Sequence, residues 1–165
     1  MTIKTRLNER DFIYVTFVVF FAKPIMRIVF IIMSIALLLA IISAIVPSSI
    51  AGDFSIFRLA FPSFFVVILP VLLFFTAKKN YASNKRIHEE MEYNFENNFL
   101  AIKGESFNSQ MSWDKIYKVS KTKRWLFIWQ TRYVANAIPK SDLSKAALVE
   151  LKQILTEQAV KNNLR

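Results

Sequence analysis

The sequence contains no cysteine and a single histidine, His88. Without cysteine there is no disulfide, no thiolate nucleophile and no cysteine-based metal or iron–sulfur site. One histidine is too few for a multi-histidine metal site and leaves little for a Ser-His relay. No set of nucleophile, base and orienting group can be assembled from the other residues. The sequence therefore predicts a protein that is not an enzyme and that has no catalytic residue, metal or cofactor.

Acidic residues and glycine are also scarce. The 165 residues include 12 Asp and Glu against 22 Lys and Arg, a formal net charge of +10, with two Gly and five Pro. So few Gly and Pro exclude a collagen-like or low-complexity chain. Residues 78–165 hold 16 Lys and Arg against 9 Asp and Glu, so +7 of the charge belongs to this polar half. A basic half beside apolar segments indicates anionic lipid headgroups as a partner, whereas no nucleic-acid-binding motif is present.

Two long uncharged runs occupy the first half of the chain, residues 28–46 and residues 59–77. As helices rising about 1.5 Å per residue they are each about 28 Å long, close to the roughly 30 Å hydrocarbon thickness of a bilayer. The short polar stretch between them, which contains Asp53, makes residues 28–77 a predicted transmembrane helical hairpin. Pro70 lies in the middle of the second span, where we expect it to kink the helix and free a carbonyl.

The distribution of basic residues predicts the orientation of this hairpin. The stretch between the spans has only Arg58, at the edge of the second span. Nine basic residues lie outside the hairpin on its two ends: Lys4, Arg6, Arg10, Lys23, Arg27, Lys78, Lys79, Lys85 and Arg86. Because basic residues stay on the cytoplasmic side, both termini are predicted to be cytoplasmic in a multi-pass protein of the cytoplasmic membrane. Residues 78–86 form a basic juncture that sets this topology.

Residues 1–27 are predicted to form a polar strand and an interfacial helix. The apolar segment at 12–22 is too short to cross a bilayer, and Lys23-Pro24 follows it without a small-residue cleavage site. It either lies in the membrane interface or extends the first span. The opening residues TIKTRL alternate in polarity and are compatible with a strand added to a C-terminal sheet. The sequence leaves these alternatives open.

Residues 87–165 change pattern and predict a domain of antiparallel strands closed by one amphipathic helix. Met91, Tyr93 and Phe95 alternate with polar residues, which is typical of a half-buried strand. Asn97-Asn98 is a plausible hairpin turn, and further strand-length segments follow with polar breaks. Ser144 is a credible N-cap of the last helix. Leu148, Leu151, Ile154, Leu155 and Gln158 mark one face of this helix at helical spacing, apolar except for Gln158.

A basic cluster beside tryptophan in the stretch KVSKTKRWLFIW gives the most suggestive site. It either docks on anionic lipid, at about 1 kcal/mol per cation, or forms a solvated turn whose aromatic residues belong to the core. WLFIW is apolar on both faces, so a helix, the membrane or a partner must cover one of them. With the juncture, the predicted lipid-contacting residues are Lys78, Lys79, Lys85, Arg86, Lys121, Lys123, Arg124 and Trp125.

Other candidate residues have structural interpretations. Ala36, Ala40 and Ala44 recur every four residues and form a helix-packing seam, for the second span of the same chain rather than for a symmetric copy. Asp114 is interpreted as a turn residue and not as a general base. His88 is interpreted as a solvated histidine between anchor and domain, because His-Glu-Glu lacks the spacing of a zinc helix.

The arrangement of these features resembles a known family. Two spans, a basic juncture, a meander with Trp113, Ile116 and Val119 in W-x-x-I-x-x-V, the run Ile138-Pro139-Lys140 and a closing helix resemble the bacterial YcxB-like proteins. The resemblance is strongest from about Tyr93 to Leu155. It implies a pleckstrin-homology-like (PH-like) domain, a curled, partly open antiparallel barrel plugged by its C-terminal helix, with Trp113, Ile116, Val119 and Pro139 as core motif. It transfers no catalytic residue.

These features predict a non-enzymatic, membrane-tethered interaction module. Its PH-like domain would be presented at the cytoplasmic face of a bacterial membrane, where it binds anionic lipid and a protein partner. A protein from another class also fits the size and topology: an immunity protein that binds a toxin or antimicrobial peptide at the membrane, with Asp53 in its outer loop. Self-association is compatible with either, and nucleic acid is not expected as a partner.

Overall fold

A computed structural model of the chain describes residues 1–45 and 55–164. The end of the first predicted span, Val46, and the loop residue Asp53 lie outside the described residues. In chain order the elements are β1 (Thr2–Thr5), α1 (Glu9–Ala22), α2 (Pro24–Ile45), α3 (Ile56–Ser83), β2 (Met91–Phe95), β3 (Phe99–Lys103), β4 (Asn108–Ser112), β5 (Lys118–Lys121), β6 (Trp125–Trp129), β7 (Ala135–Pro139) and α4 (Lys145–Glu157).

Helices α2 and α3 contain the two predicted spans. Both are long and apolar enough to cross a membrane, and only 6% of the most apolar window of each is buried inside the molecule. That small burial differs from the burial expected of a core helix in a soluble domain. The 28 residues of α3 correspond to about 42 Å, which exceeds the roughly 30 Å hydrocarbon thickness. The last turns of α3, with Lys78 and Lys79, therefore extend beyond an apolar layer of that thickness.

Pro70 is accommodated within α3 by a widened turn. Residues Phe64–Ile68 are π-helical, and the Leu69 N–H bonds to the carbonyl of Phe64, five residues back. A proline ring collides with the carbonyl four residues before it in a regular α-helix, and a π-turn just before the proline relieves such crowding. The helix thus passes Pro70 through a local change of hydrogen-bond register.

The alanine seam lies where α2 meets α3. Ala36 and Ala40 line a groove of about 450 Å³ together with Phe61 and Pro62 of α3, and Ala40 is buried. Ala44, the third member, is exposed. Small side chains at this contact let the two backbones approach closely. Ala36 and Ala40 therefore lie at the contact between α2 and α3 of the same chain.

Within residues 1–45 and 55–164, seven strands form two antiparallel sheets. The first has the order β1-β2-β3-β4 and the second has the order β5-β6-β7. Within the described residues no strand ladder joins the two sheets, so the barrel is not closed. Strand β1 pairs with β2, with Ile3 opposite Tyr93, which resolves the alternative left open for TIKTRL. Helices α1, α2 and α3 are therefore inserted between two neighbouring strands of one sheet.

Helix α4 and the C-terminal tail complete the core. The Ser144 hydroxyl accepts a hydrogen bond from the Ala147 N–H at 3.0 Å, as expected of an N-cap. Leu151, Ile154 and Leu155 are buried against both sheets' inner residues. The core also contains the three buried residues of the family motif, Trp113, Ile116 and Val119. Beyond α4, the Val119 N–H donates to the Lys161 carbonyl at 2.8 Å, so the tail covers the outer edge of β5.

The pairing of β1 predicts that one residue before the hairpin stabilises the domain after it. Ile3 is buried in the core, whereas Lys4 is exposed. We expect Ile3→Ala to lower the free energy of unfolding of the sheet domain by about 2–4 kcal/mol, the usual range for a buried isoleucine. Denaturation in micelles followed by β-sheet circular dichroism measures it. Lys4→Ala, which loses only an exposed ion pair with Glu92, should change it by less than about 1 kcal/mol. Equal effects of the two changes would contradict this role of β1.

Candidate functional site

Helix α1 covers the outer face of β6. All five residues of β6 are buried, although the strand lies in a three-stranded sheet. Leu126 and Ile128 point into the main core, and successive side chains alternate between faces. Trp125, Phe127 and Trp129 pack on the other face, in a second cluster with Val15, Val18, Val19, Ala22 and Leu7. The cover that the sequence required for WLFIW is therefore a helix of the same chain.

Local chemistry separates α1 from the first span. The Asn8 side chain caps α1 by accepting a hydrogen bond from the Asp11 N–H at 2.9 Å. Lys23 then takes an extended conformation, with φ −69° and ψ 118°. Lys23 precedes Pro24, and a residue before proline disfavours the α conformation. Residues 12–22 are thus a separate helix and do not extend α2.

One predicted lipid contact requires a correction. Trp125 is only 4% exposed, because α1 lies over it and the Tyr14 ring stacks on its indole at a centroid distance of 6.0 Å. Its ring is not available to insert into a membrane surface. Lys123 and Arg124 are exposed, as predicted, whereas Lys121 is half-buried and its backbone N–H donates to the Asn163 side chain at 2.7 Å.

Lys123 and Arg124 lie at a cleft of about 640 Å³, here named the basic cleft. The Lys140 N–H donates to the Arg124 carbonyl at 2.9 Å. This hydrogen bond joins the wall of the cleft that contains Arg124 to the wall that contains Lys140. The three walls of the cleft come from separate parts of the chain, so no local sequence pattern predicts the cleft. Its lining residues are Arg10, Asp11 and Tyr14 of α1, Lys123, Arg124 and Trp125 at the β5–β6 turn, and Pro139, Lys140 and Ser141 after β7.

The basic juncture is partly engaged within the protein. Lys78 Nζ lies 3.7 Å from Glu9 Oε1 at the start of α1, an exposed pair that contributes at most about 1 kcal/mol. The Arg86 guanidinium lies over the Phe107 ring, 5.5 Å from its centroid. Lys79 and Lys85 are exposed. Four cations thus remain at the domain's end of α3, two of them held by neighbouring side chains.

His88 and Tyr81 join α3 to the domain. His88 Nε2 lies 2.7 Å from the Tyr81 carbonyl oxygen, and the two rings are 4.4 Å apart. The Tyr81 hydroxyl donates to the Leu7 carbonyl at 3.2 Å, just before α1. His88 is half-buried, so it is less solvated than predicted. No group of three potential metal ligands occurs in the part of the chain that the structure describes.

Glu89 is a buried acidic residue that the sequence did not single out. Its carboxylate accepts two hydrogen bonds from Ser106, from the N–H at 2.9 Å and from the hydroxyl at 2.6 Å. These bonds lower the pKa of Glu89 below its ordinary value. A Cβ at Gly104 would lie 2.6 Å from Glu89 Oε2 and from the Phe107 ring, so a larger residue there would displace the carboxylate or the ring. The bonds fasten the segment after α3 to the β3–β4 turn.

Asp114 behaves as a turn residue. It lies in the 3₁₀ turn Trp113–Lys115, and a hydrogen bond from the Ser112 side chain lowers its pKa. Trp113 beside it is buried and donates its indole N–H to the Glu96 carbonyl at 2.9 Å. Pro139, the last member of the motif, is half-buried at the end of β7, opposite Trp125. Asp114, Trp113 and Pro139 therefore have structural roles.

The bonds of Glu89 predict a pH-dependent stability. A carboxyl whose pKa is lowered on folding stabilises the protein at pH values above its ordinary pKa, near 4.5, and loses that contribution as the pH falls through the lowered value. We expect Glu89→Gln to lower the melting temperature at pH 7, and this effect to shrink progressively as the pH falls below about 4.5. Melting followed by circular dichroism between pH 7 and about pH 3 measures this. The neighbouring exposed residue gives the control, Glu90→Gln, and an equal pH profile for both variants would contradict the assignment.

Comparison with known proteins gives a family match in the strand-rich part of the chain. No curated protein and no solved structure matches the chain significantly. A model of the YcxB-like protein family matches residues 95–155, from the end of β2 into α4. The matched range contains the whole motif predicted from the sequence and strands β3 to β7. It does not include the helical hairpin. The strand-rich segment, residues 95–155, is thus similar to the YcxB-like family.

Proposed function

We propose that the protein is a non-enzymatic, membrane-tethered interaction module. In this proposal α2 and α3 cross a bacterial cytoplasmic membrane, both termini are cytoplasmic, and the sheet domain is presented at the inner face. The observation that carries the proposal is the insertion of α1, α2 and α3 between β1 and β2. The chain forms β1 of the domain, leaves it for the hairpin and then returns to form the rest of the domain. The domain is therefore tied to the membrane at two points.

Both ties are short and held by contacts. Residues 6–8 link β1 to α1, and the Leu7 carbonyl accepts a hydrogen bond from Tyr81 of α3. Residues 84–90 link α3 to β2, and within them Glu89 is bonded to Ser106 of the domain. Such links restrict the swing of the domain far more than a flexible linker does. A partner in the same membrane meets this domain at raised effective concentration, so that weak contacts suffice for binding.

The domain itself supports a PH-like assignment. It has a four-stranded and a three-stranded antiparallel sheet followed by a helix that fills the space between them. The exposed strand β4 pairs only with β3 among the described elements. Its free edge offers backbone donors and acceptors to an extended segment of a partner protein. We propose this edge as the surface that binds a protein partner.

The immunity interpretation has less support. It relied on an outer loop with Asp53, which lies outside the described residues. No described feature favours a toxin as the partner over another membrane protein. The alanine seam, which is shared by α2 and α3, leaves Ala44 as its exposed member, so the seam offers little to a second copy of the chain.

The absence of cysteine allows a direct test of topology. Single cysteines introduced as Asp53→Cys and Glu105→Cys have no background from the native chain. We expect a membrane-impermeant maleimide to label Asp53→Cys in intact cells and Glu105→Cys only in inverted membrane vesicles. Labelling of Glu105→Cys from outside intact cells would overturn the proposed orientation.

The proposed binding edge is testable by site-specific crosslinking in cells. A photoreactive residue in place of Gln110, exposed on β4, should form a defined crosslink with one membrane protein. Replacing residues 24–83 by a flexible linker removes the tether and should reduce the crosslink at least about tenfold, because effective concentration falls. A photoreactive residue at Lys152, exposed on α4, is the matched control. Equal yields at both positions, or with and without the tether, would contradict the proposal.

A further inference from the structure

We propose that the basic cleft is a binding site for a phosphate group. Two sources share this chemistry, the headgroup of an anionic phospholipid and a soluble phosphate ester. The lipid source rests on the proposed membrane tethering, whereas the site itself does not. The sequence predicted Lys123 and Arg124 as part of a charged surface that contacts lipid. In the structure they belong to a defined cleft that also contains Arg10 and Lys140.

Charge is the first observation. Four cations converge on the cleft from three parts of the chain: Arg10, Lys123, Arg124 and Lys140. Asp11 is the one acidic residue in its lining. Within the described part of the chain none of the four cations forms an ion pair, since the salt bridges there join other groups. Like charges brought together without counter-charge repel one another, and a bound anion relieves that repulsion.

A buried donor is the second and independent observation. The indole N–H groups of Trp113 and Trp129 donate to Glu96 and Ser120 at 2.9 and 2.8 Å. The N–H of Trp125 has no such acceptor among the described residues, although Trp125 is only 4% exposed and lines the cleft. Its nitrogen is not among the fully enclosed unpaired atoms, so it keeps contact with solvent. Because buried indole donors normally find an acceptor, this one is available to a ligand oxygen.

The donor set selects phosphate over other anionic groups. Two guanidinium groups present planar forks that match phosphate oxygens, and two ammonium groups add point charges. The face of Tyr14 that meets Trp125 is occupied by their stacking, so that surface offers no platform for a nucleobase. A volume of about 640 Å³ is in the range of small-ligand sites. The cleft therefore fits a compact phosphate ester.

The position of the cleft on α1 favours the lipid source. At 100° per residue, Ile13, Phe17 and Phe20 lie on the side of α1 opposite to the sheet-facing Val15. Arg10 lies about 140° from Val15, at the edge of this outer side, as far round the helix as Phe20. A helix with an apolar face turned to the bilayer lies at the level of the headgroups. If α1 does so, the edge with the basic cleft meets headgroup phosphates.

The experiment uses the full chain in micelles and in nanodiscs. Glycerol 3-phosphate is titrated into the micellar protein and followed by tryptophan fluorescence. Nanodiscs carry brominated phosphatidylglycerol or brominated phosphatidylcholine, and the quenching that disappears in Trp125→Phe is assigned to Trp125. We expect saturable binding of the ester, or stronger quenching by the anionic lipid at equal bromine content. The first result identifies a soluble ester as a source, and the second identifies a headgroup.

Matched variants decide whether the cleft is responsible. Lys123→Gln, Arg124→Gln and Lys140→Gln together should weaken binding about tenfold or more, given about 1 kcal/mol per cation. Lys103→Gln, Lys115→Gln and Lys152→Gln together remove the same charge from exposed positions elsewhere and should change it less than about twofold. Arg10→Gln alone is the second variant if the triple change disturbs folding.

Two results would overturn the proposal: equal losses in both triple variants, or no saturable response in either arm. Neither would affect the cysteine labelling that tests the membrane topology. A failure of the phosphate site and a failure of the proposed tethering are therefore distinguishable.

Discussion

The packing of α1 on the outer face of β6 is the contact on which the rest of the structure depends. It buries Trp125, Phe127 and Trp129, which form the face of the sheet turned away from the main core. An aromatic side chain buries about 150–250 Å², and at about 25 cal/mol per Å² this contact contributes several kcal/mol. Because α1 also leads directly into α2, the same contact sets where the hairpin begins relative to the domain.

The insertion of the hairpin between β1 and β2 has consequences for folding. β1 cannot pair with β2 until the chain has passed through three helices. The entropy of closing so long a loop grows only slowly with its length, and a helical hairpin returns the chain close to its starting point. The side chains of Tyr81, His88 and Glu89 then fasten that return. The helical hairpin and the sheet domain are therefore fastened to each other where the chain leaves the domain and where it returns.

Much of this fold could be predicted from periodicity. The uncharged runs indicated α2 and α3, alternation indicated β2, and Ser144 marked the start of α4, because each signal is local. The role of α1 could not be predicted in this way. An apolar segment without a polar face gives no sign of which side is buried, and tryptophan beside lysine is typical of both a membrane interface and a core. The sequence therefore predicted only some of the residues of the basic cleft.

Arg10 and Lys140 reach the basic cleft from opposite ends of the chain, and only the tertiary structure brings them together. Glu89 stands among other glutamates and looks solvated in the sequence, yet Ser106 satisfies its carboxylate. Buried polar groups depend on partners that are distant along the chain. A sequence pattern indicates which residues are charged, but not which of them are paired.

The C-terminal tail lies along the outer edge of β5 through the bond between Val119 and Lys161, with Leu164 buried beside it. An uncovered strand edge is a template for sheet extension between molecules. Exposure of such an edge would therefore promote aggregation. The tail therefore prevents β5 from pairing edge to edge with a strand of a neighbouring copy.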